Sequence, residues 1–290
     1  MADTTLSAPG SPVTRDLRKQ PIDDLLARVE EMLGAELVRD SIVCKRRSVG
    51  AVSSRGTWLR IEARLTSKIA AQGQSGNGME AADLLHGISK PAWYRAVSWR
   101  DPADDTIWRV DEVELVPVAP VQRGPLRDDV ELADEWWTAL NRSLDALAGQ
   151  YTTRVATPDT ERITQDLVTS VIERALPRQV DTEISEPWTP AHADLNWANL
   201  TGPEFWILDW EDHGMAPRGL DSANLWVSSL TVPKLANRVY RERRRDLETR
   251  PGRLMALFCL SKLLNDSSLP DRLREVSTSE AAKLVAALRP

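Results

Sequence analysis

One segment of the sequence, residues 190–221, contains polar residues whose types and spacing could support catalysis. His192 is followed two residues later by Asp194, and Asn199 lies five residues after this aspartate. Asp209 comes ten residues after Asn199 and directly follows a run of four apolar residues. A Thr-Gly-Pro turn signal lies between the two polar groups. We therefore predict a small hairpin that brings Asn199 and Asp209 side by side.

Two carboxylates and an amide in this arrangement suit the transfer of a phosphoryl group from a nucleotide. Magnesium must bridge the oxygens of a nucleoside triphosphate, and hard divalent cations prefer oxygen ligands such as carboxylates and amide carbonyls. We predict that Asn199 and Asp209 are these ligands. A second carboxylate, not bound to metal, must accept the proton of the attacking hydroxyl group, and Asp194 fits this role. Protein kinases divide the work between an Asn and two Asp residues in the same way.

The segment resembles the aminoglycoside phosphotransferase and choline kinase-like branch of the protein-kinase-like fold. That family reads His-Gly-Asp-Leu, three further residues and Asn, then Ile-Asp-Trp, and another Asp about a dozen residues on. The residues that match this pattern are His192, Asp194, Leu195, Asn199, Leu208-Asp209-Trp210 and Asp221. The resemblance implies that Asp194 is the catalytic base and that Asn199 and Asp209 bind magnesium. It further implies that His192 and Asp221 are structural braces of the catalytic loop.

Two departures from the family pattern stand in this segment. Ala193 replaces the usual Gly, which adds one methyl group and restricts the backbone of the loop. Two further acidic residues, Glu211 and Asp212, follow the Asp-Trp pair, and the family pattern assigns them no role.

The chain changes its character at a proline-containing stretch, residues 117–120. Before it, β-branched and aromatic residues between turn signals predict strands at 41–65, 93–99 and 107–116. The Gly-rich residues 72–78 are predicted to form a flexible loop. Apolar residues at helical spacing predict helices at 22–33, 79–85, 129–147, 160–176, 220–230, 234–247, 254–264 and 280–288.

This order of elements predicts an α+β fold with two lobes. The small N-terminal lobe is expected to contain an antiparallel sheet, and the larger C-terminal lobe is expected to be mainly helical, as the resemblance also implies. We place the nucleotide-binding N-terminal lobe at residues 15–117 and the catalytic and acceptor lobe at residues 118–290. Residues 1–14 are polar and rich in Ser, Thr and Pro, which predicts a disordered tail.

A kinase-like N-terminal lobe needs a loop over the phosphates of the nucleotide. No Gly-x-Gly-x-x-Gly pattern occurs in the sequence. The small-residue stretch 48–54 is the best candidate, with Ser48 and Gly50 placed to offer backbone N–H groups to phosphate oxygens. Adenine is expected to bind the backbone of the connector after the last N-terminal strand, at Leu115 and Val116.

The lobe also needs a cation for the phosphates and an acidic partner that holds it. Arg60, Arg64 and Lys68 are the candidates for the cation. The resemblance favours a residue on a strand and therefore Arg60, although Lys is more usual at that position. Glu80, near the start of the predicted helix 79–85, is the candidate partner.

Composition limits the remaining classes of function. The chain of 290 residues has 37 basic and 43 acidic side chains and a net charge of −6, which argues against a general nucleic-acid binder. No segment reaches the roughly 20 apolar residues that cross a bilayer, and no signal-peptide core occurs near the N-terminus. The two cysteines lack metal-type spacing, which favours a reducing compartment. We predict a cytoplasmic protein that does not bind membranes.

The predicted partners are a nucleoside triphosphate, ATP or GTP, with Mg²⁺, and a hydroxyl-bearing acceptor. Acceptors consistent with the resemblance include aminoglycoside-like antibiotics, amino alcohols and sugars. One alternative is a Ser/Thr kinase of a peptide within a peptide-modifying assembly, for which the basic run 238–246 is a candidate docking surface. Another is a non-catalytic pseudokinase scaffold with a partner protein, which the missing glycine pattern motivates.

Overall fold

The computed structural model describes residues 16–101, 105–122, 126 and 128–289. Contacts between Cα atoms divide the chain into two compact units. The first unit comprises the described residues up to Thr66 together with Tyr94–Leu115. The second unit comprises Ser67–Trp93 and the described residues from Val116 onward.

This division does not follow the order of the chain. The predicted lobes, 15–117 and 118–290, are continuous in sequence, whereas the contacts group Ser67–Trp93 with the later residues. The predicted tail, residues 1–14, lies outside the described residues.

Five strands form one antiparallel sheet: β1 (Val43–Cys44), β2 (Ser48–Val52), β3 (Thr57–Leu65), β4 (Trp93–Asp101) and β5 (Thr106–Glu114). Their order across the sheet is β1-β2-β3-β5-β4. β3 and β5 pair over their full length, from Thr57 opposite Glu114 to Leu65 opposite Thr106. The predicted strands are thus confirmed.

Helix α1 (Asp23–Leu33) packs on one face of this sheet. Its buried residues recur at intervals of three and four, as expected for an amphipathic helix. One hydrophobic cluster joins the helix to β3 and β5 and includes Leu26, Val29, Leu33, Leu59, Ile61, Trp108 and Val110. The helix ends at Gly34, whose φ of 61° is the left-handed conformation that favours glycine.

The loop predicted at 48–54 is wrong over Ser48–Val52, which is strand β2, whereas the assignment of Ser48 and Gly50 to the nucleotide stays a prediction. Val49 and Ala51 are fully buried and complete the apolar face of the sheet. Gly50 lies opposite Arg60 in the neighbouring strand. A Cβ atom at Gly50 would lie 2.2 Å from the ring of Trp58, so this glycine makes room for an indole within the sheet.

The second unit is mainly helical, as predicted. Its helices begin with α2 (Thr66–Gln72), which starts at the last residue of the first unit, and α3 (Gly78–Ala82). The later helices are α4 (Asp134–Ala148), α5 (Gln165–Ala175), α6 (Leu220–Ser228), α7 (Pro233–Glu242), α8 (Arg244–Leu247), α9 (Arg250–Leu264) and α10 (Asp271–Leu288). Most of α9 is buried, and it packs against α5, α6 and α10. Two short strands, β6 (Thr189–Ala191) and β7 (Gly214–Ala216), pair beside these helices.

Several helices differ from the prediction, and the largest difference is at α10, which begins at Asp271 and not at residue 280. α4 begins five residues later than predicted, with Asp134 and Glu135 in its first turn, where acidic side chains favour a helix N-terminus. The helix predicted at 234–247 is divided at Arg243, which leaves the helical conformation. The short helix α2 was not predicted, since its sequence lacks a clear apolar period.

No helix in the described part of the chain is both long enough and apolar enough to span a bilayer.

Candidate active site

The predicted catalytic loop begins directly after β6 and is held by one buried carboxylate. Asp221, in the first turn of α6, accepts hydrogen bonds from the backbone N–H groups of His192 and Ala193 at 2.7 and 2.8 Å. Burial raises the pKa of the Asp221 carboxyl above its usual range, and the two N–H groups act against this rise because they favour the ionised form. Asp221 therefore fixes the direction of the chain as it enters the loop, the bracing role that the resemblance implies.

Ala193 adopts a backbone conformation that favours glycine. Its φ is 74°, and its side chain is buried. A left-handed conformation costs an L-residue roughly 1–2 kcal/mol, which explains why the family pattern has Gly here. The carbonyl of Ala193 accepts a hydrogen bond from the Asn224 side chain at 3.0 Å, so contacts on both sides of the residue hold this conformation.

His192 joins the loop to the segment that carries the second predicted metal ligand. Its Nε2–H donates to the carbonyl of Leu208 at 2.8 Å, because a carbonyl can only accept. Its Nδ1 accepts the backbone N–H of Asp194 at 3.3 Å. The ring also packs edge-on against Trp210, with 4.8 Å between ring centroids. Asp194 is thus tied to the residues on either side of Asp209.

Two amide side chains hold the carboxylate of Asp194. Asn199 Nδ2 donates to Asp194 Oδ2 at 3.0 Å and to the Asp194 carbonyl at 2.8 Å. Asn196 Nδ2 donates to Asp194 Oδ1 at 3.0 Å. Burial raises the pKa of the Asp194 carboxyl, and the nearby Asp209 carboxylate adds to the rise, while His192 and the Asn199 amide oppose it. A half-buried carboxylate of this kind is suited to accept a proton.

The predicted hairpin between Asn199 and Asp209 is present. The N–H of Leu208 donates to the carbonyl of Asn199 at 2.8 Å, and Leu200 bridges to Ile207 in antiparallel register. This pairing places Leu208 opposite Asn199, and Asp209 is the next residue after Leu208. Asp209 itself has a φ of 67° and precedes a single helical turn, Trp210–Asp212.

The donor set fits a magnesium ion that is shared with a nucleotide. Both side-chain N–H hydrogen bonds of Asn199 go to Asp194, and within the described ranges its amide oxygen accepts none, so that oxygen could bind a cation. Asp209 would supply the carboxylate. The described residues contain no group of three His, Cys, Asp or Glu that could hold a metal alone. Magnesium commonly takes one or two protein ligands and completes its shell with phosphate oxygens and water.

Arg154 is a buried supporting residue that the sequence did not reveal. Its guanidinium donates to the carbonyls of Glu211 and His213 at 3.2 Å and to the Asn77 side chain at 2.9 Å. It thereby links the chain that follows Asp209 to the loop before α3. Nothing near Arg154 in sequence marks this role, because its partners lie 57 to 77 residues away.

Gly78 allows an especially close contact at the same place. A Cβ atom there would lie 2.0 Å from the carbonyl oxygen of Glu211, well inside any real contact. The loop predicted at 72–78 is also anchored, since Gln74 and Val155 exchange hydrogen bonds of 2.8 and 3.0 Å. Several contacts therefore fix the position of the chain that leaves Asp209.

The residues predicted to bind the nucleotide lie in different parts of the molecule. Arg60 is on β3 in the first unit, and Glu80 is on α3 in the second, so their pairing remains a prediction. Leu115 and Val116 follow β5 in an irregular segment. Ser48 and Gly50 lie on β2, and Arg64 forms an ion pair with Glu62 at 3.0 Å.

Solved structures of other proteins share this architecture. No family model and no curated protein matches the sequence. The solved gentamicin–APH(2")-IIa complex is 10% identical, covers 93% of this chain and 96% of its own, and has a TM-score of 0.52. The streptomycin–ATP–APH(2")-IIa ternary complex is also 10% identical, covers 91% of this chain and 97% of its own, and has a TM-score of 0.52.

A choline/ethanolamine kinase family protein from Mesorhizobium loti is 17% identical, covers 92% of this chain and 95% of its own, and has a TM-score of 0.46. At these identities the likeness concerns the fold. The resemblance found in the sequence is confirmed at that level, and this chain has the α+β protein-kinase-like fold that it shares with APH(2")-IIa.

Proposed function

We propose that the protein is a magnesium-dependent phosphotransferase that moves the γ-phosphoryl group of ATP or GTP to a hydroxyl group of a small molecule. The observation that carries the proposal is the Asp194 carboxylate, which accepts hydrogen bonds from the side-chain amides of Asn196 and Asn199. The solved relatives bind ATP, gentamicin and streptomycin, which supports a nucleotide and a hydroxyl-bearing acceptor for this site. Aminoglycoside-like antibiotics, amino alcohols and sugars are the acceptor classes to test first.

Asn199 and Asp209 would hold the metal through an amide oxygen and a carboxylate. When bound, Mg²⁺ neutralises charge on the transferring and leaving phosphate oxygens. Asp194 binds the acceptor hydroxyl through a free lone pair, since each of its oxygens accepts one described amide hydrogen bond and has room for another.

The reaction then breaks one bond and forms another at phosphorus. The acceptor oxygen attacks the γ-phosphorus, and its proton passes to Asp194. The bond from the γ-phosphorus to the bridging oxygen breaks, and the nucleoside diphosphate leaves with the electron pair. The hydrogen bonds of Asp194 to Asn196 and Asn199 fix the direction from which the hydroxyl approaches.

One observation favours a second candidate, a non-catalytic nucleotide-binding scaffold. Most of the small-residue stretch that was expected to cover the phosphates, Ser48–Val52, forms strand β2. A protein with the magnesium ligands and no covering loop would bind nucleotide without efficient turnover.

For the peptide-kinase alternative, two members of the proposed basic docking surface are engaged within the protein: Arg238 pairs with Asp134 at 2.7 Å, and Arg243 is buried.

An Asp194→Asn variant separates transfer from binding. It keeps the size of the side chain but removes the base, so we expect transfer of labelled γ-phosphate to a hydroxyl acceptor to fall by about 10²–10⁴-fold. Binding of MgATP should persist, because Asn199 and Asp209 are unchanged. The matched control is Asp24→Asn, an exposed carboxylate on α1. Undiminished transfer by Asp194→Asn would remove Asp194 from the mechanism, and binding without transfer by the wild type would favour the scaffold.

A further inference from the structure

An ion pair that the proposed reaction does not use lies in the second unit, between Asp159 and Lys262. Lys262 comes from α9, and Asp159 comes from the tight turn Pro158–Thr160. The side chain of Lys262 is 33% exposed and that of Asp159 is 67% exposed. The ammonium group also lies 5.4 Å from the ring centroid of Phe258, one turn earlier in the helix. The contact with Phe258 therefore holds the ammonium group, while the exposed parts of both side chains remain open to a ligand.

A chain of contacts brings this pair to the catalytic loop. Cys259, also on α9, donates its S–H to Asn224 at 3.0 Å, and Asn224 donates to the carbonyl of Ala193 at 3.0 Å. Lys262 follows Cys259 by three residues, about one helical turn. Lys262 therefore lies about one turn of α9 from the residue whose contact with Asn224 reaches Ala193. Burial lowers the pKa of Lys262, but the Asp159 and Asp194 carboxylates outweigh this effect and raise it.

The turn that presents Asp159 is held in an unfavourable conformation. Asp159 and Thr160 are consecutive non-glycine residues with φ of 55° and 67°. Gln72 donates to the carbonyl of Thr160 at 2.9 Å, and Thr157 donates its hydroxyl to Asp212 at 2.6 Å. Strain of this kind persists only where surrounding contacts enforce it, and it concentrates at functional sites. Here it presents the Asp159 carboxylate to Lys262.

The charges of the pair determine which acceptor suits the site. The ammonium of Lys262 already neutralises the carboxylate of Asp159. A cationic acceptor therefore finds no free carboxylate to pair with here, and the positive charge of Lys262 repels it. A neutral acceptor avoids this repulsion. One of its hydroxyl groups can donate to Asp159, and a second can accept from the Lys262 ammonium, while a third faces Asp194.

We propose that the Asp159–Lys262 pair selects neutral polyhydroxyl acceptors and disfavours those with an amino group beside the reacting hydroxyl. This inference rests on the proposed phosphotransferase function and narrows its acceptor class.

The test compares matched acceptors that differ by one amino group. The probes are glucose with glucosamine, and glycerol with 2-amino-1,3-propanediol, each assayed for transfer of labelled γ-phosphate. We expect the wild type to favour the neutral member of a pair at least tenfold in kcat/KM. Lys262→Met should shift that ratio at least tenfold toward the amine, whereas Lys262→Arg, which keeps the charge, should preserve it. Lys283→Met, an exposed lysine on α10, is the matched control.

Several outcomes would overturn the inference. These are a wild-type preference for the amine, transfer to neither member of either pair, or a ratio that Lys262→Met leaves unchanged. The thermal shift caused by MgATP, measured on every variant, monitors folding and nucleotide binding. Loss of that shift in the wild type would refute the proposed function itself, whereas a normal shift without the neutral preference would refute only the role of the pair.

Discussion

Replacing Gly78 by Ala tests the contact that positions the chain after Asp209. In the structure, a Cβ atom at this position would lie 2.0, 2.5 and 2.6 Å from the carbonyl oxygen, carbonyl carbon and Cα of Glu211. Real Cβ contacts stay beyond about 3 Å, and the atoms to be displaced are backbone atoms rather than a flexible side chain. The two segments must therefore separate by about 1 Å.

The cost can be estimated from the groups involved. Overpacking of a buried contact costs about 1–3 kcal/mol. The movement also weakens the hydrogen bond from Arg154 to the Glu211 carbonyl, which is 3.2 Å long. Against this, alanine in place of glycine in a helix gains about 0.5–1 kcal/mol. We expect Gly78→Ala to lower the free energy of unfolding by about 1–3 kcal/mol and to weaken the binding of MgATP, since Asp209 lies two residues before Glu211.

Urea unfolding and MgATP titration of the variant are the appropriate assays. Gly149→Ala is a matched control, because the nearest atoms to a Cβ there are 3.6 Å away and its φ is −85°. This control should be neutral or slightly stabilising. If Gly78→Ala were as stable as Gly149→Ala and bound MgATP like the wild type, the close contact would not position the metal ligand, and the reasoning would be wrong.

Three further predictions concern buried groups. Burial lowers the pKa of His213 to about 4 from an ordinary value of 6.5, so as the pH falls the unfolded chain binds a proton at this side chain before the native protein does. The free energy of unfolding should therefore fall by up to about 3 kcal/mol between pH 6.5 and pH 4. This fall should be less steep in His213→Gln. Burial raises the pKa of Cys259 to about 12, so a thiol reagent should modify only Cys44 in the native protein and both cysteines in urea. Asp221→Asn replaces one acceptor oxygen by an N–H₂ group, which should cost about 1–3 kcal/mol in urea unfolding and reduce transfer.

The sequence predicted the site where the determining interactions are local. The hairpin between Asn199 and Asp209 follows from an apolar run and a turn signal within ten residues, and the structure pairs the chain accordingly. The helical second unit and the sheet of the first follow from apolar periodicity in the same way. The sequence marked Ala193 only as a departure from the usual Gly, and the structure adds its left-handed conformation, with a φ of 74°.

Long-range contacts could not be predicted. Arg154 reaches partners 57 to 77 residues away, and Lys262 meets Asp159 from a different helix, so neither has a local signature. The stretch 48–54 was misinterpreted because small residues suit a phosphate loop and also suit a strand packed beneath an aromatic ring. The pairing of Ser48–Val52 with the neighbouring strand and the position of Trp58 against Gly50 distinguish the two.

Magnesium-dependent nucleotide binding, measured by thermal shift on the wild type and Asp209→Ala, tests the central claim most directly. A ligand present at a hundred times its Kd stabilises a protein by about 2.7 kcal/mol, which is a readily measured rise in Tm. We predict that ATP with Mg²⁺ raises the Tm of the wild type, and that omission of Mg²⁺ or the Asp209→Ala change removes most of this rise. An equal rise in wild type and variant, or no rise in either, would contradict the assignment of Asp209 as a metal ligand at a nucleotide site.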